Sequence, residues 1–529
     1  MLRFLIPAAL LLIAASSPEE RGKAWINDVR VLAADNMEGR LTGSPGYDRA
    51  AAYVVGRFKA LGLKPAGSQG FLQPVAFEQQ QVLSERSEAA LLNGGEAAPL
   101  IVGKDMIIGA GTAPRPAKIE APLLFIGYGL HMPEAGHDDL AGVDLKGKIA
   151  VFTTGGPASV SAAIKSHARG ERAKYLAERG ALGGIEIRTP KAIEIPWARQ
   201  MTIARQPGMY LADPALRQVQ GEWFAATFDP TQGERLFAGS GHSFAEIAAL
   251  ADASKSVPGF PLGQSLRATI ATKIQPLMSA NIVAKLPGRD RKLAAEHVVI
   301  SGHLDGLGMD PALPGDTIYN GAIDNATGVA SLIDIATSYS GRYGAKRVRP
   351  KRSILFVVVT AEEKGLLGSH YFANRPTVPK ASIVADINYD MPYALWPLTS
   401  MLALGEGEST LGADARAVAA SMGLAMAVDP LPDRNTFIRS DQYSFIRQGI
   451  PSLFPKFGLA PGSPDLETDR RWRAERYHGP GDDIDQPIRV EDSIRFDDYV
   501  SALALRVANA PARPAWLPDS FFRRFATSP

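Results

Sequence analysis

Cysteine is absent from all 529 residues. Disulfide staples and lipid attachment through a thiol are therefore excluded, and any transition metal has to be held by nitrogen and oxygen. An excess of charge of one sign is also missing, since 57 lysines and arginines face 55 aspartates and glutamates for a net charge of +2. With 21% of residues charged, this balance gives an ordinary soluble surface and nothing that would gather nucleic acid. The apolar run at the start, Phe4-Leu5-Ile6-Pro7-Ala8-Ala9-Leu10-Leu11-Leu12-Ile13-Ala14-Ala15, is too short to span a bilayer. It follows Arg3 and closes on small residues, the shape of a cleavable secretory signal. Residues 1–17 are thus expected to be removed and the remainder exported to the periplasm or the medium, with no stable membrane insertion afterwards.

At about 150 residues per domain, the length allows roughly three domains and a sizeable core. The stretch 297–390 organises the rest. Val298-Val299-Ile300-Ser301-Gly302 reads as a buried strand that stops at His303-Leu304-Asp305. Asn320-Gly321-Ala322-Ile323-Asp324-Asn325-Ala326-Thr327-Gly328 reads as a turn into a helix, with apolar residues at helical spacing through Ile335. Ile354-Leu355-Phe356-Val357-Val358-Val359-Thr360, the most β-branched run in the chain, ends at Ala361-Glu362-Glu363, and Ile383-Val384-Ala385-Asp386-Ile387-Asn388-Tyr389 delivers Asp390. Continuous apolar runs alternating with helical segments predict an α/β fold whose parallel sheet is covered on both faces. Such sheets bind ligands at the carboxyl ends of their strands. His303, Glu362, Glu363 and Asp390 all stand just past such ends.

Around this stretch, residues 18–116 are expected to form the N-terminal part of the same domain, 117–261 an inserted smaller domain, and 262–529 the catalytic domain. Residues 24–34 and 47–61 have helical periodicity, and the polar Gly/Pro-rich loop 35–46 between them reads as a connector. The strand-like pattern over 71–108 suggests no role. The inserted segment holds strand and turn signals at Leu123-Leu124-Phe125-Ile126-Gly127 and Lys148-Ile149-Ala150-Val151-Phe152 but no convergent catalytic set. Its histidines, His131, His137 and His167, are expected at the surface.

The C-terminal third adds Tyr477-His478-Gly479-Pro480-Gly481-Asp482-Asp483, where a histidine stands in a loop that is free to point side chains at a site. Two histidines and three carboxylates suit a pair of borderline divalent metals, for which imidazole nitrogen and carboxylate oxygen are the natural donors. Two metals about 3.5–4 Å apart need a bridging carboxylate, and Asp324, in a rigid turn between the others, is the candidate. His303 and Asp390 would complete one metal, Glu363 and His478 the other. Asp305, two residues after His303, is placed to accept the second N–H of that ring and so fix its tautomer. Neighbouring side chains diverge, so Glu363 can ligate while Glu362 reaches the reacting water as general base. Zinc is favoured by ligand type, and cobalt or manganese would fit the same donors.

Gly302-His303-Leu304-Asp305, Asp324-Asn325-Ala326-Thr327-Gly328, Glu362-Glu363, Asn388-Tyr389-Asp390-Met391 and Tyr477-His478, in this order, resemble metallopeptidase family twenty-eight, the secreted di-zinc aminopeptidases. Glu38-Gly39-Arg40 with Thr42-Gly43-Ser44-Pro45-Gly46 is similar to the opening of its longer members, and the inserted segment resembles their protease-associated domain. The resemblance implies a mixed, mostly parallel sheet with helices on both faces, a smaller β-rich inserted domain, and two Zn2+ ions. It implies hydrolysis of peptides that have a free N-terminus, with Glu362 as base and Tyr477 helping to stabilise the oxyanion. Ser440-Asp441-Gln442-Tyr443-Ser444-Phe445 resembles a pocket segment in which histidine is common at Gln442, and Ile323 stands where an acid often precedes the bridging aspartate. A glutamate-releasing carboxypeptidase, which would need basic residues such as Arg434 and Arg439 in its pocket, shares the scaffold. So do glutaminyl cyclases and inactive receptor-like proteins.

Overall fold

The computed structural model describes residues 17–109, 113–392, 394–434 and 436–526. The expected export signal falls outside them except for Ser17. The architecture is mixed α/β, built on two sheets. The larger runs, from edge to edge, Gly208–Leu211, Leu72–Val82, Thr272–Leu286, Ser353–Val359, His297–His303, Ile383–Asn388, Ser452–Phe457, Ser400–Leu404, Ala425–Met426. Its centre, from Ser353–Val359 to Ser452–Phe457, is parallel, and the strands on both sides of that centre join it antiparallel.

Alternation within the central strands explains why they are apolar throughout. Ile354, Phe356 and Val358 face one layer together with Val298 and Ile300, whereas Leu355, Val357, Val359 and Val299 face the other. The first layer is covered by Pro18–Leu32, Pro45–Ala60, Thr327–Ser340 and Val490–Asn509, which contribute Trp25, Phe58, Val329 and Tyr499. The second is covered by Leu367–Asn374 and Gln442–Ile446 through Phe372 and Phe445. With both faces closed, each such side chain contributes about 1.5–3 kcal/mol by leaving water.

Leu72–Val82 and Thr272–Leu286 pair antiparallel from Ile282↔Leu72 to Thr272↔Val82, so residues 83–271 are inserted at the tip of a two-stranded arm. Most of this insertion builds the second sheet, Glu96–Leu100, Glu88–Asn93, Gly259–Thr269, Lys118–Ile126, Ile149–Phe152, Gly183–Ile187, Phe224–Phe228, Met106–Ile108, with its own core. The expected segment 117–261 lies inside this span, and the sheet takes further strands on either side of it. Those outer strands alternate between buried and exposed positions, which is the mixed pattern visible in the sequence. One element returns, as Gly208–Leu211 pairs with the outer edge of Leu72–Val82. Contrary to expectation His167 is buried, with a ring nitrogen 2.9 Å from the Tyr443 hydroxyl. No helix among the described residues is long and apolar enough to cross a membrane.

Three covering helices are tied by Arg21, which reaches Asp334 from two nitrogens at 2.5 and 3.0 Å and Asp498 at 2.6 Å. Asp334 is buried and also accepts from the Tyr343 hydroxyl at 2.8 Å. Breaking a buried pair strands the remaining charge, so Asp334→Ala should lower unfolding stability by about 3 kcal/mol in a denaturant titration. A loss within 0.5 kcal/mol would show that the pair is not holding these helices together.

Candidate metal centre

The parallel centre brings the candidate residues to one edge. His303 ends its strand opposite Val359, and Ser301 lies opposite Asn388, so His303, the Glu362-Glu363 turn and Asp390 emerge side by side. Asp324 comes from the turn that opens Thr327–Ser340, and His478 from the loop after Pro464–Glu475. Asp324 sits at the middle. Its Oδ1 is 3.3 Å from His303 Nε2, and its Oδ2 is 3.2 Å from His478 Nε2. His303 Nε2 lies 3.6 Å from Asp390 Oδ1, and His478 Nε2 lies 3.2 Å from Glu363 Oε2. Two triads result, His303/Asp324/Asp390 and Asp324/Glu363/His478, each with its donor atoms within 4.8 Å of one another.

The donor set fits a pair of divalent cations. His303 Nε2 and Asp390 Oδ1 are buried without a hydrogen-bond partner, a costly state unless a cation lies between them. Titration points the same way. Burial opposes protonation of His303, yet Glu362, Asp324 and Asp390 hold it well above the usual imidazole range. Burial opposes protonation of His478 as well, and Glu363 and Asp324 raise it. Against burial, the two histidines keep Asp324 far below the usual carboxylate range. Burial and Asp324 push Glu363 up to about 7, against the pull of His478. The protons drawn onto the two rings occupy the place of positive charge in a cluster of acids. Glu362, beside the first triad, is raised well above the usual range by burial and by Asp390, Glu363 and Asp441, against the pull of His303.

Asp305 differs from expectation in how it acts. His303 Nδ1 donates to the backbone carbonyl of Asp305 at 3.1 Å, while the nearer carboxylate oxygen is 3.9 Å away. That carboxylate accepts instead from the backbone N–H groups of Glu362 at 3.0 Å and Glu363 at 3.3 Å. The turn after a strand leaves these two donors unpaired, and a charged acceptor binds them more strongly than it would share one ring. Asp305 therefore fixes the ring through its carbonyl and the glutamates through its side chain. Tyr477 stacks on the His478 ring at 3.9 Å, under the Arg473 guanidinium at 4.9 Å, and its hydroxyl has no hydrogen-bond partner among the described residues. Gln442 is fully buried, bonded to Asn388 and the Phe437 carbonyl, and Ile323 packs into the main core.

Residues 281–504 match the model of Peptidase family M28. The match covers 224 of the 529 residues and is a likeness over that stretch. An aminopeptidase from Aneurinibacillus sp. strain AM-1 has a similar fold, with a TM-score of 0.54, 20% identity, and coverage of 94% of this chain and 97% of that one. A probable zinc metalloprotease of Pyricularia oryzae is 31% identical over 136 residues, 26% of this chain and 24% of its own length. A probable leucine aminopeptidase 2 of Aspergillus fumigatus is 26% identical over 236 residues, 41% of this chain and 42% of its own length. The chain thus spans less than half of either curated relative.

Four positioning residues of this centre were not foreseen. Asp482 accepts the backbone N–H of Ile323 at 3.0 Å and of Asp324 at 2.9 Å, joining the bridging turn to the His478 loop. Asn325 donates to the Tyr389 carbonyl and accepts from Gly328 and Met391, each at 3.1 Å, so it ties the turn to the strand that carries Asp390. Arg199, from the insertion, donates to the carbonyls of Arg473, Ala474, Glu475 and Tyr477 at 2.7–3.2 Å, closing the helix end just before His478. Arg40 is the fourth. The loop read as a connector carries it, fully buried, to the carbonyls of Leu32, Leu304, Asn320 and Gly321 at 2.6–2.8 Å, directly behind His303 and Asp324. Gly39 allows this approach, because its φ is +61° and a Cβ there would lie 2.2 Å from the Gly308 carbonyl oxygen.

Burial lowers the Arg40 pKa to about 10, against the pull of Asp482, Asp324, Asp305 and Glu363, so it remains a cation at neutral pH. Arg40→Met should strand four carbonyls, at about 1–3 kcal/mol for each unsatisfied group. Arg40→Lys should recover only part, since an ammonium cannot reproduce the planar fork. Elemental analysis of purified protein should show reduced metal content in both variants. Full metal loading in Arg40→Met would sink this role.

Proposed function

We propose that the protein is a zinc aminopeptidase, using two Zn2+ ions to release single residues from free peptide N-termini. The observation that carries this is the pair of triads sharing Asp324, with Glu362 alongside. His303, Asp324 and Asp390 would hold one ion, and Asp324, Glu363 and His478 the other. Bound there, zinc would polarise the scissile carbonyl and make a neighbouring water acidic enough to react near pH 7. Glu362 takes the proton of the attacking water and returns it to the leaving amine. The Tyr477 hydroxyl, left unpaired beside His478, donates to the oxygen that gains negative charge. Asp390 and Glu362 meet the substrate α-ammonium.

The carboxypeptidase reading needs free arginines, and the two candidates are engaged. Arg434 lies 2.6 Å from Asp469, and Arg439 lies 3.2 Å from Glu194. The Aspergillus relative, a probable leucine aminopeptidase, agrees with an N-terminal exopeptidase. Residues 1–17 are read as an export signal, and 117–261, within the insertion, as a protease-associated-like domain.

Glu362→Gln should retain both metals and lose about 10²–10⁴ in turnover, the range for a general base. Glu363→Ala should instead lose metal. Metal analysis showing the opposite pattern would exchange the two roles. A tetrapeptide and its N-acetylated form separate the activities: acetylation should abolish cleavage, whereas cleavage of the acetylated peptide would replace this reading with the carboxypeptidase one.

A further inference from the structure

Beside the second triad lies a cavity of ≈ 400 Å³ whose wall includes Glu363 and His478 but none of His303, Glu362 and Asp390. Its floor is apolar, with Ile108 and Met209 buried beneath it, and Ile195 and Ile203 close it from the inserted segment. Three charged side chains besides the metal residue His478 reach it. Glu363 is directed at His478, and Arg188 is paired with Glu186 at 2.5 Å. Lys364 is different. Its ammonium has neither a hydrogen bond nor an ion pair among the described residues, although it lines the same cavity. Glu363 and Asp305 act on it only through space, and the cavity beside it is partly open and largely apolar, so an anion that enters there can pair with it.

We infer that this cavity receives the leaving residue of a short peptide, with an apolar side chain against its walls and a free carboxylate on Lys364, so that dipeptides are the favoured substrates. The inference rests on the aminopeptidase reading, which sets the α-ammonium at Asp390 and Glu362, on the far side of Asp324. A substrate with its scissile carbonyl between the triads then sends its second residue toward Glu363, His478 and the cavity. The volume lies in the range of a small-molecule site, enough for one amino acid with its carboxylate. In a dipeptide that residue ends in an anion. In a longer peptide a neutral amide stands there and gains nothing from Lys364. Hydrolysis itself is unchanged: the water oxygen joins the acyl carbon, the C–N bond breaks, and the proton passes through Glu362 to the amine.

The test compares kcat/KM for leucyl-leucine and leucyl-leucinamide on the zinc-loaded protein, with turnover of leucine anilide as the reference for the activity itself. The acid should be preferred by roughly 10- to 100-fold, the range for one charge-assisted hydrogen bond. Lys364→Met should erase that preference, and Lys364→Arg, with its charge restored, should keep most of it. Equal rates for acid and amide in the native sequence, with anilide turned over normally, would overturn this inference and leave the aminopeptidase reading intact. So would a preference that survives in Lys364→Met. Failure to cleave anilide and both peptides would overturn the aminopeptidase reading, and this inference with it.

Discussion

Asp324 must offer one carboxylate oxygen to each of two histidines that reach it from separate parts of the fold. His303 is fixed by a central strand, with little freedom of its own. His478 sits in a loop with a left-handed backbone, φ 52°, which an unconstrained histidine would seldom hold. The shared carboxylate therefore depends on the devices that bind this loop to the sheet. Asp482 links it to the Asp324 turn, Arg199 pins the carbonyls just before it, and Asn325 holds the turn against the Asp390 strand. Ala361 and Met391, adjoining Glu362 and Asp390, also have positive φ, so strained backbone recurs on three of the segments that meet here. Strain of that kind persists only where surrounding contacts over-determine it.

Charge imposes the second requirement. Asp305, Asp324, Glu362, Glu363, Asp390, Asp441 and Asp482 crowd one end of the sheet, and at low dielectric their repulsion would be large. The protein answers with cations whose hydrogen bonds go to carbonyls. Arg40 uses four of them, and Lys456 donates to the carbonyls of Asp390 and Met391 at 2.6 and 3.2 Å. Each also acts on the acids through space, Arg40 on Asp482, Asp324, Asp305 and Glu363, and Lys456 on Asp390, Asp324 and Asp469. Burial still lowers Lys456 to about 8, so the balance is close and leaves room for metal ions to supply the remainder.

The strands and their ends were legible because buried parallel strands are continuously apolar, and a charged residue ending such a run stands out against it. The helical period over 24–34 and 47–61 marked the two helices observed at 18–32 and 45–60, the second to within two residues at each end and the first six residues late at its start. What stayed hidden has a common physical cause. Arg40 and Arg199 bond to backbone carbonyls, and a carbonyl carries no mark in the sequence. Asp305 could be seen to stand near His303, but the competition between its carboxylate and its carbonyl is decided by two N–H groups more than fifty residues away in the chain. Lys456 left a faint signal, one charge in an otherwise apolar strand. The edges of the inserted sheet were obscured because half-exposed strands alternate in polarity and resemble one another wherever they occur.

Placing the insertion at the tip of a two-stranded arm separates two problems that many enzymes solve with the same residues. The arm lengthens one edge of the sheet without entering the parallel centre, so the metal-facing strand ends keep their register whatever the insertion contains. The insertion also folds back: Gly208–Leu211 pairs with the arm itself, and Arg199 reaches the His478 loop. It also supplies Ile195, Ile203 and Arg188 to the cavity wall, which Glu363 and Lys364 reach from the turn after Ser353–Val359. On the proposed reading, one unit holds the reacting groups and the other shapes what can approach them. The contacts joining them run both to backbone, as from Arg199 to the carbonyls before His478, and between side chains, as Arg205 with Asp310 and Glu194 with Arg439.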